Sequence, residues 1–153
     1  MGKSLLVTGA AGFIGANFVH HWMHHHPEDT VVAYDALTYA GNLANLDGLR
    51  DNRQFSFVHA DICDDDRVLQ TLREHNIDTL VHFAAESHVD RSITGPDAFI
   101  ETNIVGTYSL LKAAREHWLA GGKSQPHRFH HVSTDEVYGS LSIDAPGFHE
   151  QQK

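Results

Sequence analysis

Short apolar runs alternate with longer amphipathic ones along this chain. Leu5-Leu6-Val7 has the unbroken apolar character of a buried strand and ends at Thr8-Gly9. From about Gly12 to His25, Phe13, Ile14, Phe18, Val19 and Trp22 recur at helical spacing, and Pro27 lies beyond the end. Val31-Val32-Ala33-Tyr34 predicts a second strand closed by Asp35, and a polar loop from Thr38 to Asn45 follows. Phe55-Ser56-Phe57-Val58 predicts a third strand. Asp64-Asp65-Asp66 opens a helix carrying Val68, Leu69 and Leu72, its carboxylates suited to the positive end of the helix dipole. A fourth strand is predicted over Thr79 to Phe83. A long helix follows from Asp97 to Ala120, begun after Pro96 and stopped by Gly121-Gly122, and Arg128 to Val132 predicts a fifth strand.

Strands alternating with helices in this way predict an α/β fold: a doubly wound parallel sheet, covered on both faces and joined by right-handed crossovers. The expected strand order is 3-2-1-4-5. No repeat or interdomain linker interrupts it, so residues 1–139 are expected to form one domain and 140–153 a polar tail. Net charge changes the picture only by exclusion. Eleven Lys and Arg stand against 20 Asp and Glu, a balance of −9, and no basic run offers the phosphate neutralisation that nucleic-acid binding requires. No apolar stretch approaches the roughly 20 residues that span a bilayer. Met1-Gly2-Lys3-Ser4 runs directly into the first strand, without the apolar region and cleavage site of a secretory signal. The single cysteine, Cys63, excludes an internal disulfide and a multi-cysteine zinc site and suits a reducing cytoplasm; it is expected to be buried beside the third strand and not to act as a nucleophile. Among 14 histidines, His20, His21, His24, His25 and His26 include i, i+4 pairs. They are expected to form a solvated helix end, with no metal site.

The chemistry concentrates at turns. Between the first strand and first helix lies Thr8-Gly9-Ala10-Ala11-Gly12-Phe13-Ile14-Gly15. Gly9 permits a tight turn, Gly12 lets backbone approach a pyrophosphate, and Gly15 allows close packing of helix on strand. Amides at the helix start add donors and partial positive charge. Asp35 ends the second strand about 20 residues after Gly15, where a carboxylate accepts ribose hydroxyls and repels a 2′-phosphate. NAD is therefore the expected cofactor in preference to NADP. In such a sheet, ligands sit at the carboxyl ends of strands, so Asp35, Asp61, Ala84-Ala85 and Ser133-Thr134 are expected to converge on one crevice. The adjacent carboxylates of Asp135 and Glu136 would repel each other there, leaving one protonated and one ionised, an acid and base suited to an elimination.

The Gly-x-x-Gly-x-x-Gly spacing preceded by Thr resembles the extended short-chain dehydrogenase/reductase superfamily. Asp35-Ala36-Leu37-Thr38-Tyr39-Ala40-Gly41-Asn42, Asp61-Ile62-Cys63-Asp64, Ala84 through Ser92, Thr102-Asn103-Ile104-Val105-Gly106-Thr107 and Ser133 through Gly139 narrow it. Together they resemble the dTDP-glucose 4,6-dehydratase family, with Thr134-Asp135-Glu136 before Val137-Tyr138-Gly139 the most discriminating element. The resemblance covers about residues 4 to 139. It implies NAD contacts from Phe13 and Ile14 at the pyrophosphate, Asp35, Ala36, Leu37 and Thr38 around the adenosine ribose, and Asp61 with Ile62 at the adenine. Phe83, Ala84, Ala85, Glu86, Ser87 and Thr102 would line the nicotinamide side. Ser87 and Thr134 would touch a sugar nucleotide such as dTDP-glucose, with Asp135 the general acid and Glu136 the general base. Ala36 departs from the lysine common in the family.

The family's redox pair, Tyr-x-x-x-Lys, is expected a couple of dozen residues beyond Val-Tyr-Gly, past Lys153. Tyr108 to Lys112 matches the pattern literally but aligns with a different helix. The chain is therefore expected to be the amino-terminal, cofactor-binding portion of such an enzyme, lacking the remaining strands and the substrate domain, and inactive alone. Family members dimerise through the long helix. Its Phe99, Ile100, Ile104, Val105, Tyr108, Leu111 and Trp118 are expected to leave an exposed apolar patch prone to self-association. Two other readings stay open: another NAD-dependent sugar-nucleotide enzyme such as an epimerase, and a non-catalytic nucleotide-binding module.

Overall fold

The computed structural model describes residues 2–120 and 126–151. Five strands, β1 (Ser4–Thr8), β2 (Thr30–Asp35), β3 (Phe55–His59), β4 (Thr79–His82) and β5 (Arg128–His131), form one sheet in the order β3-β2-β1-β4-β5. Every pairing is parallel, with Leu6 opposite Val32 on one side and Leu80 on the other. The predicted order and class are those observed.

Alternation along the strands sorts side chains to two cores. Leu6, Val32, Tyr34, Val58 and Leu80 face α2 (Asp65–Glu74) and α5 (Thr107–Leu119), where Val68, Leu72, Leu110, Ala113 and Trp118 meet them. Leu5, Val7, Val31, Ala33 and Val81 face α1 (Phe13–His25), which contributes Ala16, Val19 and Met23. A buried Val or Leu stabilises by roughly 1.5–3 kcal/mol. The Arg73–Glu116 and Lys112–Asp65 pairs that also join α2 to α5 are exposed to water, which screens them, and they add little. Apolar contact is what fastens these helices.

Asp64 caps α2, its Oδ1 accepting from the Arg67 amide at 3.0 Å. The expected long helix begins as α4 (Asp97–Phe99), widens into a π-helical segment over Ile100–Gly106, and continues as α5. Its expected stop at Gly121-Gly122 lies outside the described residues. A short helix, α3 (Val89–Thr94), and a 3-10 turn over Leu43–Leu46 add to the predicted elements.

Two expectations need correction. Cys63 is half-buried rather than buried: it follows β3, and its Sγ donates to the Glu101 carbonyl at 3.4 Å. Desolvation and nearby Asp61 push its thiol up to about 12, far from a nucleophilic thiolate. Phe99 and Trp118 do not join the apolar patch. Trp118 is buried and its Nε1 donates to the Ile77 carbonyl at 2.7 Å, while Phe99 is half-buried. Ile100, Ile104, Val105, Tyr108, Leu111 and Leu119 remain exposed. His20, His21, His24, His25 and His26 are all exposed, and among the described residues no cluster has metal-ligating geometry.

Candidate functional site

A cleft of about 320 Å³ opens at the carboxyl edge of the sheet. Gly9, Gly12, Phe13, Ile14 and Gly15 form one wall; Asp35, Ala36 and Thr38 follow from β2, and Asp61 and Ile62 from β3. Phe83, Ala84, Ala85, Glu86 and Ser87 leave β4 on the far side, joined by Thr102 from the π-helical segment. Of the positions expected to hold a dinucleotide, Leu37 does not line the cleft. Its side chain turns into the α1-side core, its backbone has φ +52°, and its amide donates to Asp35 Oδ1 at 2.8 Å.

The glycine turn leaves no room for side chains at Gly9 and Gly15. Gly9 has φ +66°, and a Cβ there would lie 2.7 Å from the Ala84 nitrogen; one on Gly15 would lie 2.1 Å from the Gly9 oxygen. No side chain caps the start of α1 and no acidic residue occupies its first turn. Its leading amides therefore present unclaimed donors and the positive dipole end to the cleft. Among the described residues no Lys or Arg lines the cleft, whereas Asp35, Asp61 and Glu86 do. An anionic group entering here depends on backbone donors.

Asp35 is buried, with Oδ2 accepting from the Ala11 amide at 2.8 Å and Oδ1 from the Leu37 amide. It ties the glycine turn to the loop after β2 while retaining lone pairs for further donors. Sequence patterning missed four lining residues: Tyr34, Ala40, Gly41 and Ala60. Tyr34 reads as core, yet its hydroxyl donates to the Asp61 carbonyl at 3.0 Å beneath the cleft, and burial drives its phenol well above the ordinary range.

Two further groups hold the far wall. Asn103, in the π-helical segment, accepts from the Glu86 amide and donates to the Glu86 carbonyl, both at 2.8 Å. The signal was an asparagine inside a helix, a residue that favours local hydrogen bonds over helix interiors. His82 ends β4, buried between Thr8 Oγ1 at 2.7 Å from Nδ1 and Thr107 Oγ1 at 3.0 Å from Nε2. The Ala84 amide donates to the same Thr8 hydroxyl at 3.4 Å. Desolvation, with the nearby His131, lowers His82 to about 4.

Thr134, Asp135 and Glu136 do not line this cleft. They stand exposed past the end of the edge strand β5, with Asp135 and Glu136 on a 3-10 turn over Asp135–Tyr138. The expected convergence therefore holds for Asp35, Asp61 and Ala84-Ala85 and does not extend to Ser133-Thr134. The cleft spans the ends of β3, β2, β1 and β4, and β5 lies beyond β4 at the margin of the described sheet. Tyr108 and Lys112 are also outside it, Lys112 being hydrogen-bonded to Asp65 of α2.

Comparison with known proteins places this geometry. The sequence model of the family described as GDP-mannose 4,6 dehydratase matches residues 6–153. The chain belongs to that family. Within this dehydratase family, it is 54% identical over 139 residues to the dTDP-glucose 4,6-dehydratase of Salmonella typhimurium, a match covering 90% of this chain and 38% of that protein. DesIV of Streptomyces venezuelae, a dTDP-glucose 4,6-dehydratase solved with NAD bound, superposes with TM-score 0.87 at 45% identity, covering 99% of this chain and 45% of that one. A UDP-glucose-4-epimerase from Stenotrophomonas maltophila with bound NAD gives TM-score 0.82 at 28% identity, over 97% of this chain and 41% of that one. The chain thus spans about two fifths of the length of the relatives it matches. The dehydratase resemblance read from the motifs stands, as does the enzyme class of the family.

Proposed function

We propose that this chain is the NAD-binding portion of a dTDP-glucose 4,6-dehydratase, converting dTDP-glucose to dTDP-4-keto-6-deoxyglucose and water. Residues 1–139 would form the dinucleotide domain and 140–153 a polar tail. The observation that carries the reading is the cleft itself, with uncapped α1 amides beside Gly12 and a buried Asp35 at its second strand. Gly9, Gly12, Phe13, Ile14 and Gly15 would take the pyrophosphate, Asp35 and Thr38 the adenosine ribose, Asp61 and Ile62 the adenine, and Phe83 to Ser87 with Thr102 the nicotinamide. The Asp35 carboxylate repels a 2′-phosphate and so favours NAD over NADP.

When bound, NAD supplies a hydride acceptor for the sugar C4 and a hydride donor for C6. The chain's own residues would carry the proton transfers of the elimination. Asp135 donates a proton to the hydroxyl leaving C6, and Glu136 removes the proton from C5, with the Ser87 and Thr134 hydroxyls holding the sugar. A single free thiol suits a reducing cytoplasm, and among the described residues no helix is long and apolar enough to cross a membrane.

Calorimetry should show NAD binding to the chain more tightly than NADP. The chain alone should form no keto sugar from dTDP-glucose, since neither Tyr108 nor Lys112 lies at the cleft. Mixed with the carboxyl-terminal portion of a homologous dehydratase it should regain turnover. In that mixture Asp135→Asn and Glu136→Gln should each lower the rate by about 10²–10⁴-fold. Turnover by the isolated chain would refute the division of labour, and formation of a 4-epimer would favour the epimerase reading.

The exposed stripe of Ile100, Ile104, Tyr108 and Leu111 supports pairing of two copies through the long helix. Sedimentation should show concentration-dependent association that Ile104→Glu weakens; a monomer at every concentration argues against it.

A further inference from the structure

Two exposed side chains meet beside this cleft without belonging to its lining. Tyr39 follows Thr38 and precedes Ala40 and Gly41, all three on the β2 side of the cleft; Arg91 belongs to α3, directly after the Glu86 and Ser87 wall. The Arg91 guanidinium carbon lies 4.0 Å from the centroid of the Tyr39 ring. The contact therefore joins two loops that arise from strands on opposite sides of β1. Both partners sit at the surface: Tyr39 is about half exposed and α3 contributes no buried residue.

We infer that Arg91 and Tyr39 form a clasp between the two lips of the cleft that slows departure of the dinucleotide. The inference rests on the proposed cofactor reading. A planar guanidinium over an aromatic face is attractive even in contact with water, and it forms and breaks without rearranging the core. With no Lys or Arg among the described lining residues, the ligand has no ionic anchor, and the hold of the lips adds to what the backbone donors retain. Opening the clasp acts on the exit step, whereas the glycine turn and Asp35 act on the bound state.

The test is stopped-flow release of NADH from the chain, chased with excess NAD, with thermal melting to confirm that each variant is folded. Arg91→Ala and Tyr39→Ala should each raise the dissociation rate about two- to fivefold, the range set by an exposed cation–π contact, with a smaller change in association rate. The double variant should release no faster than either single one, and Tyr39→Phe, which keeps the ring face, should behave as wild type. Release rates unchanged by either alanine, or single effects that multiply in the double variant, overturn the clasp alone. A wild-type chain that binds no NADH overturns the dinucleotide reading and the clasp with it.

Discussion

Gly15→Ala is expected to destabilise the chain by about 1–3 kcal/mol or more and to abolish dinucleotide binding. The added methyl would stand 2.1 Å from the Gly9 oxygen and 2.9 Å from its carbonyl carbon. Both are backbone atoms, so relief requires the turn to move, and overpacking of this kind carries that cost. Movement is blocked on the other side, because Gly9 sits against the Ala84 backbone at φ +66°. Gly12→Ala provides the contrast: its methyl would meet only the Gly9 oxygen at 3.3 Å. Urea unfolding should therefore show a large loss for the first variant and a small one for the second, while both weaken NAD binding in calorimetry. Equal stabilities for the two would show that the turn is softer than its packing implies.

Stability is expected to fall steeply as pH drops from 6.5 to 4, with His82 responsible for about 3 kcal/mol of the loss. Its imidazole is depressed from 6.5 to about 4, first by burial and then by His131. Between those values the unfolded chain binds a proton that the folded one refuses, so acid favours unfolding, and the contribution is complete only above pH 6.5. Burial wins over hydrogen bonding here, since Thr8 and Thr107 bond the neutral ring and neither brings a negative charge. The measurement is the difference in unfolding free energy between wild type and His82→Gln across pH 4–7. The level of that difference reflects lost packing and hydrogen bonds; its slope reports the proton. A difference that stays flat with pH would sink the assignment. Because Thr8 Oγ1 also receives the Ala84 amide, the same acid should loosen NAD binding before the chain unfolds.

Much of the molecule was legible from local patterning. Continuous apolar triplets such as Leu5-Leu6-Val7 belong to strands buried on both faces, and their alternation with amphipathic stretches leaves few arrangements other than a parallel sheet. Gly9, Gly12, Gly15 and Asp35 could be read because they act through the backbone a few residues away, where spacing is geometry. Partners brought together from distant parts of the chain could not be read that way. The Thr8–His82–Thr107 chain links residues 74 and 25 positions apart, and Asn103 meets Glu86 across 17. Arg91 over Tyr39 spans two loops whose approach depends on β2 and β4 flanking β1.

Amino-acid order thus settled the alternation of elements, the phosphate turn and the dehydratase motifs, each of which depends on short-range spacing. Packing alone decided that Leu37 turns into the core, that Cys63 stays half exposed, and that Trp118 faces inward while Tyr108 on the same helix faces out. It also decided that Thr134, Asp135 and Glu136 stand apart from the cofactor cleft, on a turn beyond an edge strand. Those outcomes follow from which surfaces a sheet and its helices can bury at once, a constraint that no single stretch of chain contains.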